Sequence, residues 1–263
     1  MEKNAFTIVL NGMPYLEWQY KIIPKVFDNW YIIEGATKPT KDTAWCSNIP
    51  DKYYNEFKLS VDGTTEFLDH IKSDRIHVLR TNGTFWDGKV DMCNSFMDRI
   101  KTPSILMEFD VDEIWTTEKL EELLNFSEEK FDEVDGFMLK CNYFVGPGLY
   151  ISNEGHYGNP WDQWSRHWHI KKPTRWISHE PPRLEGLNRF LHRNVTSEKG
   201  WVFDHYAYYL ENQVAFKEDF YGYRNAVSHW KRLQKNTKFP CLLRDFLPWV
   251  TDGAVVDRIK LEV

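Results

Sequence analysis

The sequence predicts an α/β protein: a mostly parallel central sheet flanked by helices, with a smaller aromatic-rich C-terminal elaboration. Three observations carry that expectation. Over the first half, short apolar runs alternate with helical patterns. Polar residues stand just past several of those runs. From about residue 135 the rhythm gives way to segments rich in Trp, His, Pro and Arg.

Phe6 to Leu10 (FTIVL) reads as a buried strand ended by Asn11-Gly12 and Pro14. Tyr15 to Phe27 has helical spacing, interrupted by Pro24. Trp30 to Ile33 is the second strand, closed by Glu34-Gly35; Thr64 to Lys72 is helical, and Arg75 to Leu79 is the third strand. Gly88 to Arg99 reads as a helix with Val90, Met92, Cys93, Phe96 and Met97 as its apolar residues, and Ser104 to Phe109 (SILMEF) as the fourth strand. Gly136 to Phe144 is a further strand, followed by short strand-like runs at Trp168 to Ile170 and Arg175 to Ile177. Helices return near Leu210 to Gln234. Strand, helix, strand in this order gives a parallel sheet covered on both faces, whose ligands bind beyond the carboxyl ends of the strands.

At 263 residues the chain suits a single domain over residues 1–263, with residues 1–134 and 135–263 as its halves. Twelve Trp, 13 Tyr and 17 Phe make 16% of the chain, and such flat faces suit stacking against sugar rings or bases. The net charge of −6 is spread along the chain without a basic stripe, which argues against nucleic acid as a partner. Cys46, Cys93, Cys141 and Cys241 lie far apart with no CxxC spacing, so they read as free thiols in a reducing, cytoplasmic setting. No stretch reads as a signal peptide or a transmembrane segment.

The strongest chemical signal is Phe109-Asp110-Val111-Asp112-Glu113, directly after an apolar strand. On an extended segment, carboxylates at i and i+2 project the same way and can share one hard cation. The competing reading is a helix cap, with Asp112 or Thr116 starting a helix over Glu118 to Leu124. Asn11 and Glu34, also at strand ends, are expected in the same crevice. His167 and His169 could chelate zinc as an i, i+2 pair but have no partner at diagnostic spacing. P-loop, dinucleotide-binding and nucleophile-elbow motifs are absent from the sequence.

In these residues the sequence resembles GT-A-type glycosyltransferases, particularly the family-2-like group. The pattern is Asn11 after the first strand, Glu34 ending the second, and Asp110-Val111-Asp112-Glu113 ending the fourth. Trp176-Ile177-Ser178-His179-Glu180 and Asp204-His205-Tyr206 with Lys217 are similar to further segments of that group. The chain departs from it at Glu34, where Asp is more usual, and at Gly35-Ala36-Thr37-Lys38, where Gly-Ser-x-Asp often follows.

The resemblance implies a nucleotide-sugar-binding first half and an acceptor-side second half. It implies Asn11 and Glu34 on the nucleoside, Lys89 and Asn94 near the donor, and Asp110 on ribose or metal. Asp112 and His205 would complete the site of a Mn²⁺ or Mg²⁺ ion. Lys217 reads as a surface lysine. The implied reaction moves a sugar from a nucleotide-diphosphate donor, a UDP-sugar favoured, to a glycan or other hydroxyl acceptor. Inversion requires a carboxylate to take the acceptor proton. Glu180, stiffened by Pro181 and Pro182, is the first candidate, and Asp162, between Trp161 and Trp164, is the second. A sugar-phosphate nucleotidyltransferase and a non-catalytic carbohydrate-binding protein are the rival readings.

Overall fold

The computed structural model describes residues 1–38, 49–155, 157–158 and 164–259. Its strands in the first half are β1 Glu2–Val9, β2 Asn29–Glu34, β3 Ile76–Arg80, β4 Ser104–Glu108 and β5 Glu113–Ile114. There follow β6 Gly136–Met138, β7 Lys140–Gly146, β8 Leu149–Ile151, β9 Ser165–Ile170 and β10 Trp176–His179. The last are β11 Pro182–Leu184, β12 Phe190–Leu191, β13 Val202–His205, β14 Cys241–Leu242 and β15 Val255–Arg258. The helices are α1 Tyr15–Tyr20, α2 Ile23–Val26, α3 Thr64–Ile71, α4 Lys89–Asn94, α5 Thr117–Lys130, α6 Arg193–Glu198, α7 Glu211–Tyr221 and α8 Ala226–Gln234.

A seven-stranded sheet runs in the order β12-β6-β9-β4-β1-β2-β3. The neighbours β4, β1, β2 and β3 are parallel, and among the described residues β9 alone runs against the rest of this sheet. Because side chains alternate along a strand, each face feeds its own core. Ala5, Val9, Trp30, Ile32, Ile105 and Met107 pack into one. Phe6, Tyr31, Ile33, Leu106 and Trp168 pack into the other. This explains why the strands read as continuous apolar runs rather than alternating ones.

A second, six-stranded sheet has the order β14-β15-β8-β7-β13-β5. Its arrangement corrects the sequence reading in two places. Gly136 to Phe144 is not one strand: β6 belongs to the first sheet and β7 to the second, with Leu139 between them donating its N–H to Trp164 O at 2.9 Å. The run Trp168–Ile170 is part of β9, which lies inside the first sheet between β4 and β6 rather than in a separate elaboration. The first sheet therefore draws strands from both halves of the chain. The expected helix over Tyr15 to Phe27 is split into α1 and α2, with Pro24 in the first turn of α2 where its missing N–H costs nothing. The Gly88 to Arg99 helix is shorter, ending at Asn94 before a 3₁₀ turn at Met97–Arg99. Cys93 and Cys141 are buried, Cys241 is half-buried, and Cys46 lies outside the described residues. No helix among the described residues is long and apolar enough to cross a membrane.

Asp135 ties the edge of the first sheet together. Its carboxylate accepts the N–H groups of Asn188 and Arg189 at 3.2 and 3.0 Å and faces the side chains of Arg189 and Lys171. Burial would raise its pKa, but the N–H groups and cations outweigh it and hold the carboxyl well below the usual range. A depressed folded pKa means the contribution is complete above the unfolded value, about 3.9, and is lost as pH falls through the lower folded value. Asp135→Ala should cost about 2 kcal/mol at pH 7 by urea unfolding. The difference from the native protein should shrink as the pH is lowered below 4.

Candidate functional site

In the first sheet β1 has β2 on one side and β4 on the other, so the strand order reverses there. Such a point leaves a crevice beyond the carboxyl ends. A cavity of about 810 Å³ occupies it, within the range of small-molecule sites. Its walls include Asn11, Lys89, Asp110, Asp112, Glu180, His205, Gln213 and Lys217.

Asp110 to Glu113 is a tight turn, closed by Glu113 N–H to Asp110 O at 2.9 Å, and not the extended segment the i, i+2 argument supposes. The buried Gln19 amide donates to the carbonyls of Asp110 and Glu113 at 2.7 and 3.1 Å. Gly12 lets the turn approach the end of β1: a Cβ there would sit 2.8 Å from the Val111 side chain and 2.6 Å from that of Val9. Thr116, with its hydroxyl accepting Lys119 N–H at 3.3 Å, caps α5. Asp112 is thus released from the capping role.

Arg166 on β9 organises the acidic groups. Its guanidinium binds Glu108 at 3.0 Å, Glu113 at 2.9 Å and Asp110, and lies over the Trp164 ring. The Arg166, Glu108 and Glu113 side chains are buried, so those pairs are dry, whereas Asp110 opens onto the cavity. Burial and the neighbouring carboxylates push Glu113 up, against the pull of Arg166. Glu108 also meets His179 Nε2 at 2.8 Å. Glu108, Asp110 and His179 together form a group close enough to hold a metal ion, though Arg166 already sits on two of them.

Asp112 faces the cavity from the other side of the turn. Its Oδ1 lies 3.4 Å from His205 Nε2, and its Oδ2 accepts from Gln213 Nε2 at 3.3 Å. Burial would raise its pKa, but the charges of His205 and Lys217 more than offset this and bring it down to about 2. β13 carries His205 there by pairing with β5, His205 opposite Glu113, so the second sheet delivers this imidazole to the end of the first. Asp110, Asp112 and His205 all line the cavity, whereas among the described residues the ligand atoms close enough to share one ion are those of Glu108, Asp110 and His179.

Other expected residues sit differently. Glu34 is fully buried and absent from the cavity wall, its oxygens bound by Arg80 at 2.7 Å, Ser60 N–H at 3.2 Å and Thr65. With the carboxylate occupied in this way, its structural work is to anchor the Ser60–Thr65 segment. Asn11 does line the cavity, but its amide bridges Tyr53 O at 2.8 Å and Val61 N–H at 2.9 Å, stapling the adjoining loop. Asn94 binds the backbone of Trp176 through both amide atoms, fixing β10 against α4 away from the cavity. Lys89 and Glu180 meet as an ion pair in the wall. Burial would raise the Glu180 pKa, but Lys89 holds it below the usual range. Arg175 binds Asp98. Asp162 lies outside the described residues. His167 stacks on Phe137 at 4.5 Å, and His169 binds Ser127 and Val134 O, which gives both histidines structural surroundings. Lys217 is a correction: it is half-buried in the cavity wall, its ammonium 5.2 Å from the Tyr208 ring centre.

The sequence reading did not find Arg166, Glu108 or Gln213. Glu108 left a usable signal as a carboxylate inside an apolar strand, where burial demands a cation. Aromatic residues of the second half, including Tyr143, Tyr157, Tyr208, Tyr223 and Trp249, form the far wall of the same cavity.

No protein-family model matches the chain, and no curated protein matches it in sequence. Among solved structures, S. aureus TarS 1-349 is similar at a TM-score of 0.41 and 12% identity, over 64% of this chain and 47% of that one. The same fragment in complex with UDP-GlcNAc gives 0.41 and 13%, over 64% and 45%. Its complex with UDP gives 0.41 and 13%, over 64% and 47%. This chain thus spans under half the length of that fragment. Similarity at this level says nothing of what this chain binds.

Removing Arg166 would strand buried carboxylates without a counter-ion. Arg166→Met should lower stability by about 3–5 kcal/mol in chemical unfolding at pH 7.

Proposed function

We propose that this protein is a divalent-metal-dependent glycosyltransferase that moves a sugar from a nucleoside diphosphate, UDP favoured, to a glycan or other hydroxyl acceptor. The observation that carries this reading is the pair Asp110 and Asp112, beside His205, opening onto one cavity at the strand-order reversal. Asp110, Asp112 and His205 would hold the ion. It would supply charge neutralisation for a departing diphosphate.

The chain's own groups do the remaining work. Lys217 offers an ammonium beside Asp112, suited to a phosphate oxygen. The loop that Asn11 and Glu34 brace supplies Tyr53 and Val61 to the nucleoside side of the cavity. Tyr208, Tyr223 and Trp249 line the cavity as a stacked aromatic group against whose edges an acceptor can pack. Glu180 takes the acceptor's proton in an inverting transfer. Its pairing with Lys89 keeps it ionised, and therefore able to accept, at neutral pH.

Two experiments test the reading. UDP with Mn²⁺, at about 100 times its Kd, should raise the Tm of the native protein by about 5 °C or more, and Asp112→Asn should lose that shift. A variant that keeps the full shift removes Asp112 from the metal site. With a donor and acceptor identified by screening, Glu180→Gln should slow transfer by about 10²–10⁴-fold while leaving the UDP–Mn²⁺ shift in place. Transfer at the native rate would eliminate Glu180 as the base.

A further inference from the structure

The metal reading gives no role to Gln213 in the cavity wall. Gln213 stands in the first turn of α7, 101 residues from Asp112 in sequence. Its Oε1 accepts two hydrogen bonds at 2.9 Å, from the backbone N–H of Leu210 and from the hydroxyl of Tyr15. A backbone N–H can only donate, so the amide cannot be turned around without setting two donors against each other. Its Nε2 therefore faces Asp112 Oδ2, at 3.3 Å. The Tyr15 phenol is kept protonated and donating, since burial and the nearby Asp112 both raise its pKa.

We infer that Gln213 is a positioning residue for the cation site: its amide, locked in direction by Leu210 and Tyr15, fixes the Asp112 carboxylate so that it presents to a divalent ion. The inference rests on Asp112 being a metal ligand. Asp112 Oδ2 is held by Gln213, while Oδ1 lies 3.4 Å from His205 Nε2 and faces the ion site. A carboxylate so held loses little rotamer freedom when the ion arrives, and this is where affinity is gained. Gln213 also shares one face of α7 with Phe216, Lys217 and Phe220, at helical spacings of i, i+3, i+4 and i+7, and all four line the cavity. The same amide that aims Asp112 satisfies a free N–H at the start of that helix. Ion site and helical wall are thereby fastened to one another.

The test is Mn²⁺ binding in the presence of UDP, followed by the electron paramagnetic resonance of free Mn²⁺, for the native protein, Gln213→Met and Asp112→Asn. Gln213→Met should weaken Mn²⁺ binding by about tenfold or more. UDP affinity at saturating Mn²⁺ should stay near native, while the Tm of the metal-free protein should fall by several degrees because Leu210 N–H and the Tyr15 hydroxyl lose their acceptor. If Gln213→Met does not fold, Gln213→Asn takes its place with the same expectation, because it keeps an amide at the helix start but stops a methylene short of Asp112. Native Mn²⁺ affinity in a folded Gln213 variant, alongside loss of binding in Asp112→Asn, overturns the inference alone. Mn²⁺ binding that survives Asp112→Asn overturns the metal reading, and the inference with it.

Discussion

Four carboxylates, Glu108, Asp110, Asp112 and Glu113, crowd the end of β4, and they can share that space because Arg166 stands among them. Like charges this close in a dry setting would otherwise repel strongly or take up protons. The guanidinium has the planar fork needed to satisfy several at once, which a lysine ammonium could not do. β9 lies beside β4 with His167 opposite Met107, which brings Arg166 level with the carboxylates at the end of β4. Asp110 and Asp112 face the cavity from this cluster.

The two sheets meet at this point. β5 leaves the Asp110–Glu113 turn and pairs with β13, which places His205 opposite Glu113. β7 is reached from β6 across a single residue, Leu139. The acidic turn is therefore fixed from several directions: by Gln19 beneath, Arg166 behind, and His205 and Gln213 in front. Rigid placement of this kind matters for charge chemistry, because donors already in position need no reorganisation when charge develops.

The parallel core was legible because β1, β2 and β4 are buried on both faces and so carry unbroken apolar runs. The Asp110–Asp112 pair was legible because two acids directly after such a run stand out. The break at Leu139 was not, since an apolar run looks the same whether it stays in one sheet or passes to another. Glu34 misled for a related reason: a polar residue ending a strand can face a crevice or, as here, be sealed by an arginine from the next strand. Lys217 was misjudged because helical spacing on α7 becomes informative only once the cavity it faces is known. Gln213 acts through neighbours 101 and 198 residues distant, and no local pattern could announce it.

That separation bears on how the protein comes into being. During synthesis the acidic turn emerges well before β9, β13 and α7, so a growing chain holds the four carboxylates without their arginine, their imidazole or their amide. Mutual repulsion then opposes premature closure of that end of the sheet. The acidic cluster gains its arginine, its imidazole and its amide only when Arg166, His205 and Gln213 dock.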